Sequence, residues 1–281
     1  MVRPSPWIIL LCFSGVALLT LHELVRLPDG RVHVHFLDVG QGDSGFIEGP
    51  SGQQIMIDGG PDFSALEGIG DVMPFFDRTI DLLILTHPHL DHIGSFPEIL
   101  RRYHIGAVLL TGVTYDNGRY QEFLSLLKTE HIPVEIADPA HDIDLGDHVR
   151  LDILWPPPLY YKKSIKNVHE SSIVLKLIYG KDSILFTGDA EEAIERKLLA
   201  AHADIAAEIL KVGHHGSKTS TSESFLSAVH PALAVISVGI SNTYGHPHPS
   251  VLARLTAHHI PMRLTESGGT VTMELDGKKG L

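Results

Sequence analysis

Four side chains able to bind a metal fall within six residues at His87-Pro88-His89-Leu90-Asp91-His92, directly behind the apolar run 82–85. A buried strand ending in such a turn delivers all four donors to one end of a sheet, and Pro88 keeps the turn from winding into a helix. His87 and His89, two residues apart, would face one ion, and Asp91 and His92 the next. A solvated polar loop is the ordinary reading of any single histidine, but it leaves four donors at one strand end unexplained. The segment calls for a fold in which several strands carry polar turns to a shared edge.

Hydrophobic periodicity supplies such strands. Short apolar runs bounded by Gly, Asp or Pro predict strands at 32–37, 54–57, 82–85, 107–110, 149–154, 173–178, 183–186, 209–212, 233–238 and 270–275. Helices are expected at 95–102, where Ser95 and Glu98 have capping-box spacing, and at 121–130, 191–201, 222–229 and 250–258. The class is α/β with helices outside the sheets. One long stretch, 155–171, has neither period; it holds three prolines, then Tyr160, Tyr161, Lys162, Lys163 and Lys166.

Composition narrows the ligands. The single cysteine, Cys12, lies in an N-terminal apolar run, so disulfides, Cys-rich zinc knuckles and redox pairs are excluded, and nineteen histidines stand out. With 22 basic against 34 acidic residues the formal charge is -12, which excludes a protein that grips nucleic acid over a broadly basic face. The uncharged run 7–21 follows Arg3, as in an export signal. It is short for a span, which takes roughly 20 apolar residues, and no small-x-small cleavage site follows it. The expectation is an uncleaved anchor and linker in residues 1–30, with residues 31–281 as one domain outside the cytoplasm. A cleaved signal, giving a secreted protein, and a buried core helix are the alternatives.

His-x-His-x-Asp-His after a buried strand resembles the signature of the metallo-β-lactamase superfamily, and the surrounding blocks follow its order. FLDVGQGDS (36–44) and IMIDGG (55–60) resemble its opening strands, LFTGDAE (185–191) its bridging carboxylate strand, and ILKVGHHGSKTS (209–220) a later strand end. With YGHPHP (244–249), the series is similar to the extracytoplasmic hydrolase domain of the competence DNA-uptake channel family, ComEC, over about residues 32–275. A single apolar segment precedes this domain, so the expectation is a detached relative working with a separate channel, or a secreted or anchored hydrolase with another substrate.

The resemblance implies a metallo-β-lactamase-like αββα sandwich of two mixed sheets with outer helices. It implies two divalent metal ions, zinc or manganese, about 3.5 to 4 Å apart around a water whose pKa falls toward 7. Asp189 would bridge them and Asp58 would support the ligand loop. His87, His89 and Asp189 would hold the first ion, with His169 either a further ligand or a polar-loop residue. Asp91, His92, Asp189 and either His214 or His215 would hold the second, Asp91 also serving catalysis. His246, with His248 beside it, is the expected source of the leaving-group proton; a metal ligand and a turn histidine are the alternatives. Ser217 and Lys218, with Ser220, could bind phosphate oxygens or simply cap the next helix. Lys162 and Lys163 could neutralise a single strand whose bases stack on the neighbouring tyrosines, or sit on a solvated loop.

Three functions remain open at this point. The first is a membrane-anchored nuclease or phosphodiesterase acting on DNA during uptake. The second is a hydrolase of small esters, lactones or phosphodiesters, since one fold hosts many substrates. The third is a metal-stabilised module that assembles a DNA-uptake channel without catalysis.

Overall fold

Alternation at period two gives each strand two faces, and here both faces of both sheets are covered. The computed structural model describes residues 6–24 and 26–278. In chain order the strands are β1 (Val32–Phe36), β2 (Gly45–Glu48), β3 (Gln54–Ile57), β4 (Thr79–Ile84), β5 (His104–Leu110), β6 (Val134–Ile136) and β7 (Ile143–Gly146). They continue as β8 (Val149–Trp155), β9 (Val174–Tyr179), β10 (Asp182–Phe186), β11 (Ile209–Lys211), β12 (Leu233–Ile236), β13 (Met262–Leu264) and β14 (Val271–Leu275). Among the described residues they form two seven-stranded sheets, ordered β14-β1-β2-β3-β4-β5-β6 and β13-β12-β11-β10-β9-β8-β7. The first half of the chain builds one sheet and the second half the other, until β14 returns to β1 with Val34 opposite Met273.

Three apolar clusters set the layers. Val34, Ile55, Ile84 and Leu109 of the first sheet pack on Leu151, Leu175, Ile184 and Val235 of the second. Met56, Leu83 and Val108, on the opposite face, cover Ile69, Phe96 and Phe123 of the helices Ser64–Val72, Phe96–Arg102 and Gly118–Thr129. Leu185, Leu210 and Ile236 do the same for Leu198, Phe225 and Leu255 of Glu192–Ala200, Glu223–Val229 and Pro249–Ala257. The result is the expected helix–sheet–sheet–helix sandwich. Because β3 to β6 and β10 to β13 are each parallel, their carboxyl ends gather at one edge, where ligands of open α/β sheets bind.

Several local expectations need correcting. Strands β2, β6, β7 and β13 are not among those the sequence predicts; each has only three or four residues. Ser95 makes no side-chain cap, because a helical turn, Leu90–Ile93, already precedes it and its own backbone is helical. Glu98 pairs with Arg102 at 2.6 Å instead of reaching back to Ser95. The stretch 155–171 contains the turns Pro158–Tyr160 and Val168–Ser171, closed over a small cluster of Val113, Tyr160 and Val168. Tyr160 is therefore buried and offers no face to a base.

The apolar run 7–21 lies in the helix Pro6–Leu24, with Trp7, Phe13, Leu18 and Leu21 exposed. Glu23, in the last turn of this helix, accepts from the Phe75 backbone N–H at 2.7 Å, and Arg26 just after it donates to the Met73 carbonyl at 3.0 Å, tying the helix end to the first sheet's helical layer. Among the described residues no helix is long and apolar enough to cross a membrane. Arg3, the expected basic flank, lies outside the described residues.

Candidate metal centre

Asp58 leaves β3 in the left-handed region (φ 60°), which aims its carboxylate under the turn after β4. It accepts from the Thr86 N–H at 2.8 Å and the Thr86 hydroxyl at 2.7 Å, and meets His92 Nδ1 at 2.8 Å. With Nδ1 committed to Asp58, His92 presents Nε2 to the centre, the arrangement in which a carboxylate behind the ring fixes a metal-ligating imidazole. His215 is fixed likewise, its Nδ1 lying 3.1 Å from the Ser237 carbonyl.

Asp189, at the end of β10, is almost fully buried and faces two ways. Its Oδ2 stands 3.7 Å from His87 Nε2 and 3.5 Å from His169 Nδ1; its Oδ1 stands 3.3 Å from His92 Nε2 and 3.7 Å from His215 Nε2. Two donor groups result, each with ligand atoms within 4.8 Å of one another: His87, His89, His169 and Asp189, and Asp91, His92, His215 and Asp189. His92 Nε2, His169 Nδ1, His215 Nε2 and Asp189 Oδ1 are buried without a hydrogen-bond partner in the described structure. Buried polar atoms ordinarily find partners, so this convergence of unpartnered nitrogens and oxygen fits two divalent cations sharing one carboxylate.

Burial alone would raise the Asp189 carboxyl, but His92 and His215 beside it hold it well below the usual range. Burial disfavours charge on His215 too, yet Asp189 and Asp43 outweigh it and push the imidazole up to about 10. In the first group burial wins, and His169 falls to about 4. A cavity of about 280 Å³ opens over the centre, walled by His89, Asp91, His214, Tyr244 and His246.

Residues 37–240 match the family described as metallo-beta-lactamase superfamily. The chain belongs to the metallo-beta-lactamase superfamily. It is 30% identical to "ComE operon protein 3" of Bacillus subtilis over 88% of this chain and 33% of that protein. It is 32% identical to "Recombination protein 2" of Haemophilus influenzae over 96% of this chain and 31% of that protein. The chain thus spans about a third of the length of these two relatives, which agree with the resemblance to ComEC. The metallo-beta-lactamase fold protein YhfI of Bacillus subtilis superposes with a TM-score of 0.56 over 86% of this chain and 99% of that one, at 12% identity, and shares the fold.

On this superfamily scaffold the expected ligands distribute unequally. His169 joins the first group, and His215 joins the second. His214 stands outside both groups and lines the cleft wall, with Nδ1 3.5 Å from Glu191 and Nε2 3.7 Å from Asp189. His246 also lines the cleft, its ring 5.7 Å from His214 and stacked on Tyr244 at 5.9 Å, and burial with His214 nearby lowers its pKa. His248 does not reach the cleft; its Nδ1 accepts from the Ser250 N–H at 3.2 Å and caps the helix Pro249–Ala257. Ser217 is buried against the Thr219 hydroxyl at 3.0 Å, and Ser220 donates to the Gly213 carbonyl at 2.6 Å, so neither is free for phosphate. Lys218 is exposed and absent from the cleft lining. Lys162 lies over the Tyr161 ring at 4.7 Å, and Lys163 accepts through its carbonyl from Thr114, next to Tyr115, whose ring is 5.6 Å from His89.

Three residues beside the centre carry no role in the sequence reading. Asp43 and Lys211 sit within FLDVGQGDS and ILKVGHHGSKTS and form a buried pair at 2.6 Å. A lysine inside an otherwise apolar strand was the available signal. Glu191, which takes the Thr219 hydroxyl at 2.8 Å and the Asn167 amide at 3.0 Å, had none beyond adjacency to Asp189.

Proposed function

We propose that this chain is a dinuclear nuclease or phosphodiesterase that cuts DNA during uptake outside the cytoplasm. The observation that carries the reading is the bridging geometry of Asp189, which splits its two oxygens between two complete donor groups below an open cleft. Two divalent cations, zinc or manganese, would supply Lewis acidity for attack of water on a phosphodiester. The competence-type relatives support a nucleic acid as the substrate.

The chain's own residues complete the chemistry. Asp58 and the Ser237 carbonyl hold His92 and His215 in their ligating tautomers. Tyr244, exposed at the cleft wall, offers a face on which a base can stack. His246 is neutral in the open cleft; an anionic substrate favours its protonated form, from which it passes a proton to the leaving oxygen. Lys162 and Lys163, on the turn that pairs with Thr114 beside Tyr115, would neutralise phosphates of an incoming strand. The exposed apolar face of the helix Pro6–Leu24 would rest the domain against a membrane, beside a DNA-translocation channel.

The test uses the full chain with labelled single- and double-stranded DNA and a generic phosphodiester, with zinc or manganese. DNA cleavage is expected to vanish in Asp91→Ala, and to fall about 100-fold in His246→Gln with bound metal unchanged. Two bound metals with hydrolysis of only the small diester would shift the reading to a small-molecule phosphodiesterase. Absence of metal from a folded chain would end it.

A further inference from the structure

Lys211 is 3% exposed and Asp43 5% exposed, and Nζ meets Oδ2 at 2.6 Å. A buried ion pair is by itself weak evidence of stability, because desolvation offsets much of the attraction. Its position is more informative. Asp43 lies in the turn between β1 and β2, and Lys211 ends β11, so the pair joins the two sheets beside the second donor group.

That group is assembled across the same gap. Asp91 and His92 come from the turn after β4 in the first sheet, while Asp189 and His215 follow β10 and β11 in the second. Asp43 touches a ligand from each side. Its Oδ1, which has no hydrogen-bond partner, stands 3.2 Å from His215 Nδ1 as an ion-pair contact, and its backbone N–H donates to the Asp91 carbonyl at 3.1 Å. The preceding residue must be glycine, since a Cβ on Gly42 would collide with that same Asp91 carbonyl oxygen. With the Ser237 carbonyl facing Nδ1 and Asp43 close beside it, His215 turns Nε2 toward Asp91 Oδ2, 3.3 Å away.

We propose that Asp43 and Lys211 are the positioning pair of the second metal site. Asp43 orients His215 and seats the Asp91 backbone; Lys211 cancels the Asp43 charge and fixes the spacing of the sheets at which the two ligands converge on one ion. The proposal rests on the dinuclear reading above and adds that one of its two sites depends on residues that touch no metal.

Full-length chain stripped of metal and titrated with cobalt(II) alone tests this, with occupancy read from metal per chain and coordination from the d–d absorption. Wild type is expected to take up two ions in two steps. In Asp43→Asn the first step is unchanged and the second weakens by about 10–100-fold. Asp43→Asn/Lys211→Met, which removes both buried charges and guards against a folding failure, gives the same selective loss. A pair that served only to clip the sheets would lower the melting temperature of the metal-free variants while both cobalt steps kept wild-type affinity and absorption, and that outcome overturns the proposal. Wild type that takes up no cobalt overturns it together with the dinuclear reading.

Discussion

The two donor groups share Asp189 and little else. In the first, three imidazoles crowd together, with the His87 ring 4.7 Å from His89 and 5.2 Å from His169, and one carboxylate serves them all. Burial, reinforced by the neighbouring rings, holds His87 well below its usual value and His169 at about 4, so both rings are neutral at neutral pH, each with one nitrogen lone pair to offer. The second group adds Asp91 to Asp189. There burial is outweighed: Asp189, Asp58 and Asp91 keep His92 protonated, and His215 is pushed up to about 10. A shared bridge therefore does not make the sites equivalent. The first is set to receive a cation, whereas the second must exchange protons for one.

Removing the bridge is the severest test of that contrast. Asp189→Ala is expected to lose both metals and to slow phosphodiester hydrolysis at least about 1000-fold, several kcal/mol of transition-state stabilisation. Metal analysis that still found one tight ion per chain would show that the groups do not depend on a common carboxylate. Next in size are the unilateral changes. His169→Ala should weaken the first site and Asp91→Ala the second, each by at least about 100-fold in affinity, with the other site retained. Equal loss of both ions in either variant would merge the two groups into one cooperative unit.

Proton exchange sharpens the comparison more gently. The first group's imidazoles have folded pKa values below the unfolded value near 6.5, so their contribution to metal-free stability is lost as pH falls from about 6.5 toward 4. For His215 the sign reverses: its contribution is fully present below about 6.5 and is lost as pH rises toward 10. Metal-free melting temperature should therefore peak near pH 6.5. Calorimetric titration at pH 7 in buffers of different ionisation heat should show protons released on filling the second site and almost none on filling the first. Equal release at both steps would break the assignment.

Much of this centre was legible because its donors are local in sequence. His87, His89, Asp91 and His92 occupy one turn, and Asp189 and His215 each close a recognisable strand. What the sequence did not separate is direction. His214 and His215 are adjacent and both left-handed, and only the pairing of Nδ1 with Ser237 picks out the ligand. Asp43 and Lys211 lie 168 positions apart, so their contact exists only after the sheets pack. The edge strands β6 and β13 were missed for a related reason: three residues carry too little period, and it is pairing with β5 and β12 that makes them strands. Ser217 and Ser220 misled because a hydroxyl beside a histidine turn looks the same whether it faces a substrate or a backbone carbonyl.

The mildest expected effect marks where the centre stops. His246 and His248 are two residues apart in one loop, yet Pro247 and the helix beginning at Pro249 turn them to different tasks. His246 faces the cleft, while His248 spends its Nδ1 lone pair on the Ser250 N–H, an acceptor role that serines and aspartates usually fill at helix starts. His248→Ala should therefore cost about 1 kcal/mol, roughly 2–4 °C in melting temperature, with metal content and hydrolysis unchanged. His248→Asn, which restores a capping oxygen, should recover most of that loss. A fall in kcat for His248→Ala without a change in stability would extend the reactive surface beyond the cleft wall and draw the boundary two residues further along the loop.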